Sequence, residues 1–423
     1  MDVTVELGDR SYPISFRPLD SLGETIAKHY KVGKCVLVTN DVVGPLYGEK
    51  AMSALRKAGW NPSYAEIPDG EDRKSSDTYV ALVNSLLSLQ VDRKTPVIAL
   101  GGGVTTDIVG FAAATTLRGI PFVNVPTTLL AQVDASVGGK TGVNTSHGKN
   151  LLGAFWQPFL VHIPIETLGT LSDAEFRCGL GEVVKHAVLE EVEDPRDKTK
   201  LVASTEFFEW LEKNGKRLAN RDSECLVHAI RRCCEIKAMV VSADERESGK
   251  RALLNLGHTV GHAVESVMGY GKLRHGEAVA IGTLAEAQLA CLKGFCDQAL
   301  INRIAQLLRV VGLPTGIEGL EVDALVEASL MDKKREDTQI SVTMIHGIGD
   351  VRLLKVTPDE LIPVYRMLSG NTSQKFSVVP PAAPNSTPQV NSNAYGIGSN
   401  QNNARPSTRV RAPPGGSSSI IFG

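Results

Sequence analysis

Three histidines, an arginine and an asparagine fall within one short part of the chain. Arg251, Asn255, His258 and His262 lie in a single segment, and His275 follows shortly after it. Neutral imidazole is a good ligand for zinc-like metals, and the planar guanidinium of arginine binds carboxylates or phosphates at two points. The segment therefore offers a metal site and an anion clamp together, which indicates metal-assisted chemistry on a small acidic substrate.

The spacing of His258 and His262, at i and i+4, predicts that both lie on one helix face. Such a pair alone is more often structural than metal-binding. The zinc-protease pattern HExxH fails because Thr259 stands where that pattern needs glutamate. The nearby His275 and Arg251 strengthen the interpretation as a metal site.

A carboxylate for the same metal is found in Gly179–His186. Glu182 and Lys185 lie there at i and i+3, which places them on one helix face. An exposed ion pair is the ordinary interpretation, but the apolar and glycine-rich flanks predict partial burial. Glu182 is then a candidate third ligand, and three protein ligands with an open position are typical of a catalytic metal site.

A triple glycine, Gly101–Gly103, follows the predicted strand Pro96–Leu100 and leads into a predicted helix over Asp107–Ala114. At such a turn the backbone and helix N–H groups can approach a pyrophosphate. The usual dinucleotide fingerprint fails at Thr106, so the turn is weak evidence alone. Two further segments that follow predicted strands belong to the same sheet edge: Pro68–Lys74 and Pro126–Thr128.

Lysines, asparagines and glycines crowd Asp134–Asn144 and Gly148–Asn150. A flexible surface loop is one interpretation, but Lys140 beside glycines also suits an anion. The ATP-binding pattern GxxxxGK[ST] fails because Asp134 begins the run in place of glycine.

The bulk composition sets further limits. The chain has 423 residues, of which 42% are apolar, and a formal net charge of −2. This size allows two or three domains, and the charge gives no reason to expect nucleic-acid binding. Seven cysteines without a regular spacing predict reduced thiols in a cytoplasmic protein. No signal peptide or membrane-length apolar run is found. A plastid location is the alternative if a transit peptide is missing from this sequence.

The pattern of elements predicts an N-terminal α/β doubly wound nucleotide-binding domain over residues 1–165. A C-terminal all-α domain is predicted over 166–368, with the metal and substrate residues. The charged stretch Glu190–Lys198 is predicted to be a solvated, inserted loop. The helices predicted in the second domain are Asp173–Glu190, Thr205–Lys216, Cys225–Ser242, Gly257–Met268 and Glu277–Lys293.

Residues 369–423 are rich in Pro, Ser and Asn, which predicts a disordered tail. Its end, Thr408–Ser417, resembles a short repeat of Jupiter-type microtubule-associated proteins, but the low complexity favours a solvated tail. The sequence does not identify a binding partner for this tail.

These blocks together resemble the 3-dehydroquinate synthase family within the sugar phosphate cyclases. The resemblance covers roughly residues 1–368 and rests on five stretches in order. They are Gly101–Asp107 with Arg118-Gly119, Val125–Asn144, Lys237–Val241, Leu254–Thr259 and His275–Val279.

The resemblance implies conversion of 3-deoxy-D-arabino-heptulosonate 7-phosphate to 3-dehydroquinate and phosphate, in the shikimate pathway that leads to chorismate and aromatic amino acids. It implies NAD and a divalent metal, Zn²⁺ or Co²⁺, as cofactors, and a homodimer. The implied metal ligands are Glu182, His258 and His275. The implied cofactor contacts are Asn40, Glu71, Lys74, Gly101, Gly102, Gly103, Asp107, Thr127, Thr128, Lys140 and Lys149. The implied catalytic and substrate contacts are Asp134, Lys140, Asn150, Lys185, Lys237, Arg251, Asn255 and His262, with Arg118 reaching across the dimer interface.

Some residues depart from the family pattern, and some alternatives stay open. Gly181 and His186 stand where alanine and tyrosine are expected. Lys333 or Lys334 is a further anion contact that the resemblance leaves unassigned. Valiolone- or inosose-forming cyclases and a metal-dependent polyol dehydrogenase of related fold are the alternative functions. Retention of Arg251 and Asn255 favours the dehydroquinate reaction, because the valiolone-forming relatives replace both.

Overall fold

A mainly parallel sheet organises the N-terminal part of the chain. The computed structural model describes residues 2–194, 197–269, 272–317, 319–331 and 339–370, which belong to one unit, Met1–Val379. The strands are β1 (Val3–Val5), β2 (Tyr12–Phe16), β3 (Lys34–Asn40), β4 (Asn61–Ile67), β5 (Val97–Gly101), β6 (Phe122–Pro126), β7 (Lys140–Thr145), β8 (Gly148–Phe155), β9 (Leu160–Ile163), β10 (Glu191–Asp194), β11 (Asp197–Ala203), β12 (Ile340–Gly347) and β13 (Asp350–Val356).

The helices divide into an N-terminal and a C-terminal group. The helices are α1 (Leu22–His29), α2 (Glu49–Lys57), α3 (Ser76–Ser88), α4 (Gly103–Thr115), α5 (Asp173–Val188), α6 (Glu206–Ala219), α7 (Ser223–Ala243), α8 (His258–Met268), α9 (His275–Leu292), α10 (Gln298–Val310), α11 (Val322–Met331) and α12 (Ile362–Leu368). Among the described residues, no helix combines the length and apolarity needed to cross a membrane.

The sheet has the order β1-β2-β9-β6-β5-β3-β4, and its pairs are parallel except for β1 with β2. Strand β3 is flanked by β4 on one side and by β5 on the other. The chain therefore winds in one direction from β3 to β4 and in the other from β5 to β6. Ligands of such sheets bind at this switch point, outside the carboxyl ends of the strands.

Apolar side chains of the central strands alternate between two cores. In β3, Val36 and Val38 pack in the core that α3 and α4 cover, whereas Cys35 and Leu37 pack in the core that α1 and α2 cover. Burial on both faces explains the continuous apolar runs of these strands. The predicted doubly wound α/β fold is confirmed, and the C-terminal part, predicted to be all-α, is largely helical but also contains the β10–β11 and β12–β13 hairpins.

In the C-terminal part, helices α5, α8 and α9 pack closely through glycines. A Cβ at Gly181 would overlap the carbonyl oxygen of Gly276, and one at Gly261 would lie 2.9 Å from the carbonyl oxygen of Ala278. Alanine at 181 would therefore push α5 away from α9. This contact gives a physical reason for the glycine that stands where the family pattern expects alanine.

Several local predictions need correction. Helix α4 begins at Gly103, not at Asp107, so the glycine turn itself opens the helix. The charged stretch is not a loop, because β10 and β11 form an antiparallel hairpin there. Glu190 before it is fully buried, where it accepts hydrogen bonds from Ser204 and the Phe207 N–H.

Two further hairpins were not predicted: β7–β8, where a loop was one interpretation, and β12–β13 in the helical part. The last strand of the sheet ends at Ile163, near the predicted boundary at 165, and the boundary itself stays a prediction. Lys333, Lys334 and residues 371–423 of the predicted tail lie outside the described residues.

Candidate active site

The ends of β3 and β5 meet at the switch point of the sheet. Asn40, the last residue of β3, is buried, and its Nδ2 donates to Asp69 Oδ1 at 2.8 Å and to Thr105 Oγ1 at 3.1 Å. Its Oδ1 accepts from the N–H groups of Val42 and Val43. This one amide holds together the loops after β3 and β4 and the first turn of α4.

The glycine turn lies against the loop after β6. The Thr127 N–H donates to Gly101 O at 3.0 Å, and a Cβ at Gly102 would lie 3.0 Å from Thr128 Cγ2. Gly102 caps α4, and Gly103 is its first residue. The helix N–H groups thus face the space outside the strand ends, where a phosphate group is stabilised. All of the residues predicted to contact the cofactor from β3 to β6 lie along this edge.

A buried lysine joins this edge to the β7–β8 hairpin. Lys74 Nζ lies 2.6 Å from Asp107 Oδ2 and donates to Asn150 Oδ1 at 2.6 Å. Asn144 of the hairpin donates to Glu71 Oε1 at 2.8 Å. The hairpin residues therefore face the nucleotide-binding edge, as expected of groups that contact both cofactor and substrate.

The metal-type donors of α5, α8 and α9 converge. One ligand atom each of His258, His262 and His275 lies within 4.8 Å of the others. Glu182 Oε1 lies 3.7 Å from His258 Nε2 and 3.5 Å from His275 Nε2. Two donor sets thus share His258 and His275. We favour the set with Glu182, because its Oε1 is buried and has no hydrogen-bond partner among the described residues.

Protonation in this cluster suits a cation ligand site. Burial opposes a charged Glu182, but Lys185, His275 and His258 together outweigh that cost and lower the pKa of Glu182 to about 2. Burial and Lys185 lower the pKa of His258 to about 3, so its ring is neutral. Burial acts the same way on His275, but Glu182 and Glu265 raise the pKa of His275 to about 9. Binding of a divalent cation would release the proton from His275 Nε2, the ring nitrogen that faces Glu182.

Beside the donors lies a buried chain of alternating charges. Lys185 Nζ lies 2.5 Å from Glu182 Oε2 and 3.1 Å from Asp134 Oδ2. Lys237 pairs with the same Asp134 carboxylate and donates to its main-chain oxygen at 2.6 Å. Asp134 thus holds two lysines from α5 and α7 together, and their charges lower its pKa although burial opposes this. The two ammonium groups are thus fixed beside the metal-type donors, with their charges compensated by Asp134 and Glu182.

Arg251 is buried, with 1% of the residue exposed. Its Nη2 donates to Gly138 O at 2.9 Å, and its Nη1 donates to Glu245 O. Gly138 has φ +97°, and a Cβ there would lie 2.5 Å from Nη2. The guanidinium is fixed by main-chain oxygens, while its Nε has no partner among the described residues.

Sequence reasoning did not place Glu247 in the site. Its carboxylate lies 2.5 Å from Lys140 Nζ and accepts from Asn255 Nδ2 at 3.1 Å, so it links two of the predicted substrate residues. Glu247 has a φ angle of +59°, and Asn150, another predicted site residue, has a φ angle of +55°. This conformation is rare for residues other than glycine and clusters at functional sites. It is visible only in the backbone and left no signal in the sequence.

Within the described part of the chain, Arg118 is separated from the predicted cofactor contacts Gly103 and Asp107 by the length of α4. It is exposed, with φ +65°, beyond the C-terminal end of α4, whereas Gly103 and Asp107 lie at the start of that helix. The 13 residues of α4 span about 20 Å. Arg118 therefore lies at the opposite end of α4 from the glycine turn and Asp107.

The fold and the site fit one class: an enzyme with a nucleotide-binding switch-point sheet and a helical part that carries metal-type donors beside buried lysines and an arginine. Residues 64–178 match the family model described as 3-dehydroquinate synthase N-terminal, and residues 197–335 match 3-dehydroquinate synthase C-terminal. The chain belongs to the 3-dehydroquinate synthase family.

Curated relatives agree over nearly their whole length. The chain is 43% identical to the 3-dehydroquinate synthase of Pelobacter propionicus over 362 residues, which cover 85% of this chain and 97% of that protein. It is 44% identical to that of Desulforamulus reducens over 356 residues, which cover 84% and 96%.

Solved structures with the same fold are more distant in sequence. A 2-epi-5-epi-valiolone synthase from Streptomyces hygroscopicus, solved with NAD⁺ and Zn²⁺, has a TM-score of 0.76 at 28% identity and covers 86% of this chain and 99% of its own. A glycerol dehydrogenase from Schizosaccharomyces pombe has a TM-score of 0.58 at 16% identity over 87% and 93% and shows the fold alone.

Proposed function

We propose that this protein is a 3-dehydroquinate synthase, which converts 3-deoxy-D-arabino-heptulosonate 7-phosphate to 3-dehydroquinate and phosphate. The observation that carries the proposal is the continuous cluster in which metal-type donors adjoin the Glu182–Lys185–Asp134–Lys237 charge chain. The much higher identity to dehydroquinate synthases than to the other cyclases supports it. The product is a precursor of chorismate and aromatic amino acids.

Glu182, His258 and His275 would hold the metal, and the edge formed by the ends of β3 to β6 would hold NAD. When bound, NAD accepts and returns a hydride while the divalent metal polarises the substrate hydroxyl. Lys140 and Lys237 provide positive charge for the phosphate group, and Asp134 keeps Lys185 and Lys237 in place. The departing phosphate can itself take up the proton of the elimination step, so the reaction does not require a strong protein base.

Arg251 would bind the substrate carboxylate, and this separates the dehydroquinate reaction from cyclases whose substrates lack that group. A charge-assisted pair of hydrogen bonds is worth about 1.5–3 kcal/mol, or one to two decades in kcat/KM. Lysine cannot reproduce the planar fork. We therefore expect Arg251→Lys to lower turnover of the heptulosonate phosphate by about 10- to 100-fold and to affect a carboxylate-free heptulose phosphate far less.

Phosphate release from both substrates, with wild type and Arg251→Lys, tests this assignment. Wild type should prefer the heptulosonate phosphate. Two results would contradict the assignment: a wild type that prefers the carboxylate-free sugar, or a variant that loses both activities equally. Either result would show that Arg251 does not bind a substrate carboxylate and would favour another cyclase reaction.

We also propose a homodimer in which Arg118 acts in the site of the other subunit. Arg118 is exposed beyond the end of α4, about 20 Å along the helix from the glycine turn. Apolar side chains are exposed on Leu117, the chain neighbour of Arg118, and on β8, as expected of a surface that a second copy covers: Leu151, Leu152 and Phe155.

Subunit complementation tests the position of Arg118. Arg118→Ala and His275→Ala should each be inactive as homodimers. Mixing them should restore about one quarter of the wild-type activity, as expected for random pairing in a two-fold dimer, because one mixed site has both groups. If the mixture stays inactive although mixed dimers form, Arg118 acts within its own chain.

The seven cysteines are all free thiols in the structure. This agrees with a reducing compartment, and we propose the cytoplasm.

A further inference from the structure

Glu265 lies on the same face of α8 as His258 and His262. It follows His258 and His262 at i+7 and i+3, and its side chain is only 7% exposed. A carboxylate with so little exposure needs partners. Its two oxygens face two different groups: Oε2 lies 3.5 Å from His275 Nδ1, and Oε1 lies 3.7 Å from Lys149 Nζ.

The imidazole of His275 therefore lies between two carboxylates. Nδ1 faces Glu265 Oε2, while Nε2 lies 3.5 Å from Glu182 Oε1 on the other side of the ring. When Nδ1 carries the proton and donates it to Glu265, the lone pair of Nε2 is directed toward Glu182 and His258. A carboxylate that accepts from the second nitrogen of a ligating histidine fixes the tautomer and ring orientation and makes the histidine a stronger ligand.

We propose that Glu265 is the positioning residue of the metal site: it orients His275 for the metal through Nδ1 and is itself held by Lys149. The inference rests on the proposed function only in that His275 is taken as a ligand. Lys149 belongs to β8, next to Asn150, which accepts a hydrogen bond from Lys74 at the nucleotide edge. Glu265 thus joins the helix that carries the metal donors to the hairpin that faces the cofactor.

Metal affinity of the purified protein, without substrate or NAD, tests this role. Zn²⁺ dissociation constants are measured by competition with a chelator for wild type, Glu265→Gln, Glu265→Ala and Lys149→Met. Loss of a partner of a ligating histidine typically weakens metal binding by about 10- to 100-fold, which is the effect expected for Glu265→Ala. A smaller loss of affinity is expected for Glu265→Gln, because its amide oxygen still accepts from Nδ1. A smaller loss is also expected for Lys149→Met, because that variant keeps the Glu265–His275 contact.

The visible absorption of the Co²⁺-loaded proteins gives a second readout, because it reports ligand geometry and not stability. We expect a changed spectrum for Glu265→Ala and a wild-type spectrum for Lys149→Met. The proposal is overturned if the folded Glu265 variants keep the wild-type affinity and spectrum. It is also overturned if Lys149→Met weakens binding as much as Glu265→Ala, since the hairpin would then be the cause.

His275→Ala serves as the reference for the site itself. If that variant retains its metal, the metal site assigned under the proposed function is wrong, whatever Glu265 does. If it loses the metal while the Glu265 variants do not, only the positioning role fails.

Discussion

His275→Ala and Glu182→Gln are expected to lose bound metal and all measurable turnover, whereas His262→Ala is expected to keep the metal. The reason is geometric: Glu182 Oε1 lies 3.5 Å from His275 Nε2 and 3.7 Å from His258 Nε2, and it is buried without a hydrogen-bond partner among the described residues. Loss of a direct ligand should exceed the roughly 10- to 100-fold effect of an outer partner.

Metal content after dialysis against a chelator and re-addition of Zn²⁺ measures this difference. His29→Ala, at an exposed position at the end of α1, is the matched control and should behave as wild type. If His262→Ala loses the metal and Glu182→Gln retains it, the three histidines are the ligands and the carboxylate is not.

Lys185→Met is expected to lower the free energy of unfolding by about 3–5 kcal/mol in the metal-free protein, because it leaves buried charges without their partner. Lys185 is 1% exposed and lies between the Glu182 and Asp134 carboxylates. A bound cation would compensate Glu182 in its place, so the loss should be smaller in the Zn²⁺-loaded protein. Urea unfolding with and without the metal measures both values.

The control for this variant is Arg303→Met. Arg303 pairs with Glu212 at 2.8 Å, but both side chains are at least one third exposed. Such a pair contributes less than about 1 kcal/mol. Equal losses for the two variants, or a loss in Lys185→Met that does not depend on the metal, would contradict the buried charge chain.

Residues at the ends of regular elements were predictable from the sequence. Asn40, Gly101–Gly103 and Thr127 follow apolar strand patterns, and parallel strands bring their carboxyl ends to one edge. The i, i+4 spacing of His258 and His262 likewise fixes a shared helix face, which the structure has. The family resemblance, confirmed by the relatives, supplied the link between these separate motifs.

Contacts that depend on irregular backbone were not predictable. Glu247 contacts Lys140, which lies on a strand, and Asn255, which lies in a turn before α8. The φ angle of Glu247 itself is positive. Glu190 looked like part of a charged surface run, yet Arg232 and a helix N–H group bind it in the core. Local composition does not show a partner that is distant in sequence.

The most direct test of the central claim counts phosphate and NADH in the same reaction. The metal-loaded protein is given the heptulosonate phosphate with NAD in an amount close to that of the enzyme sites. Because the hydride is returned within each turnover, we predict many phosphates released per NAD and no accumulation of NADH, with all release stopped by a chelator. One NADH formed per substrate consumed, without release of phosphate, would identify a simple dehydrogenase and contradict the account.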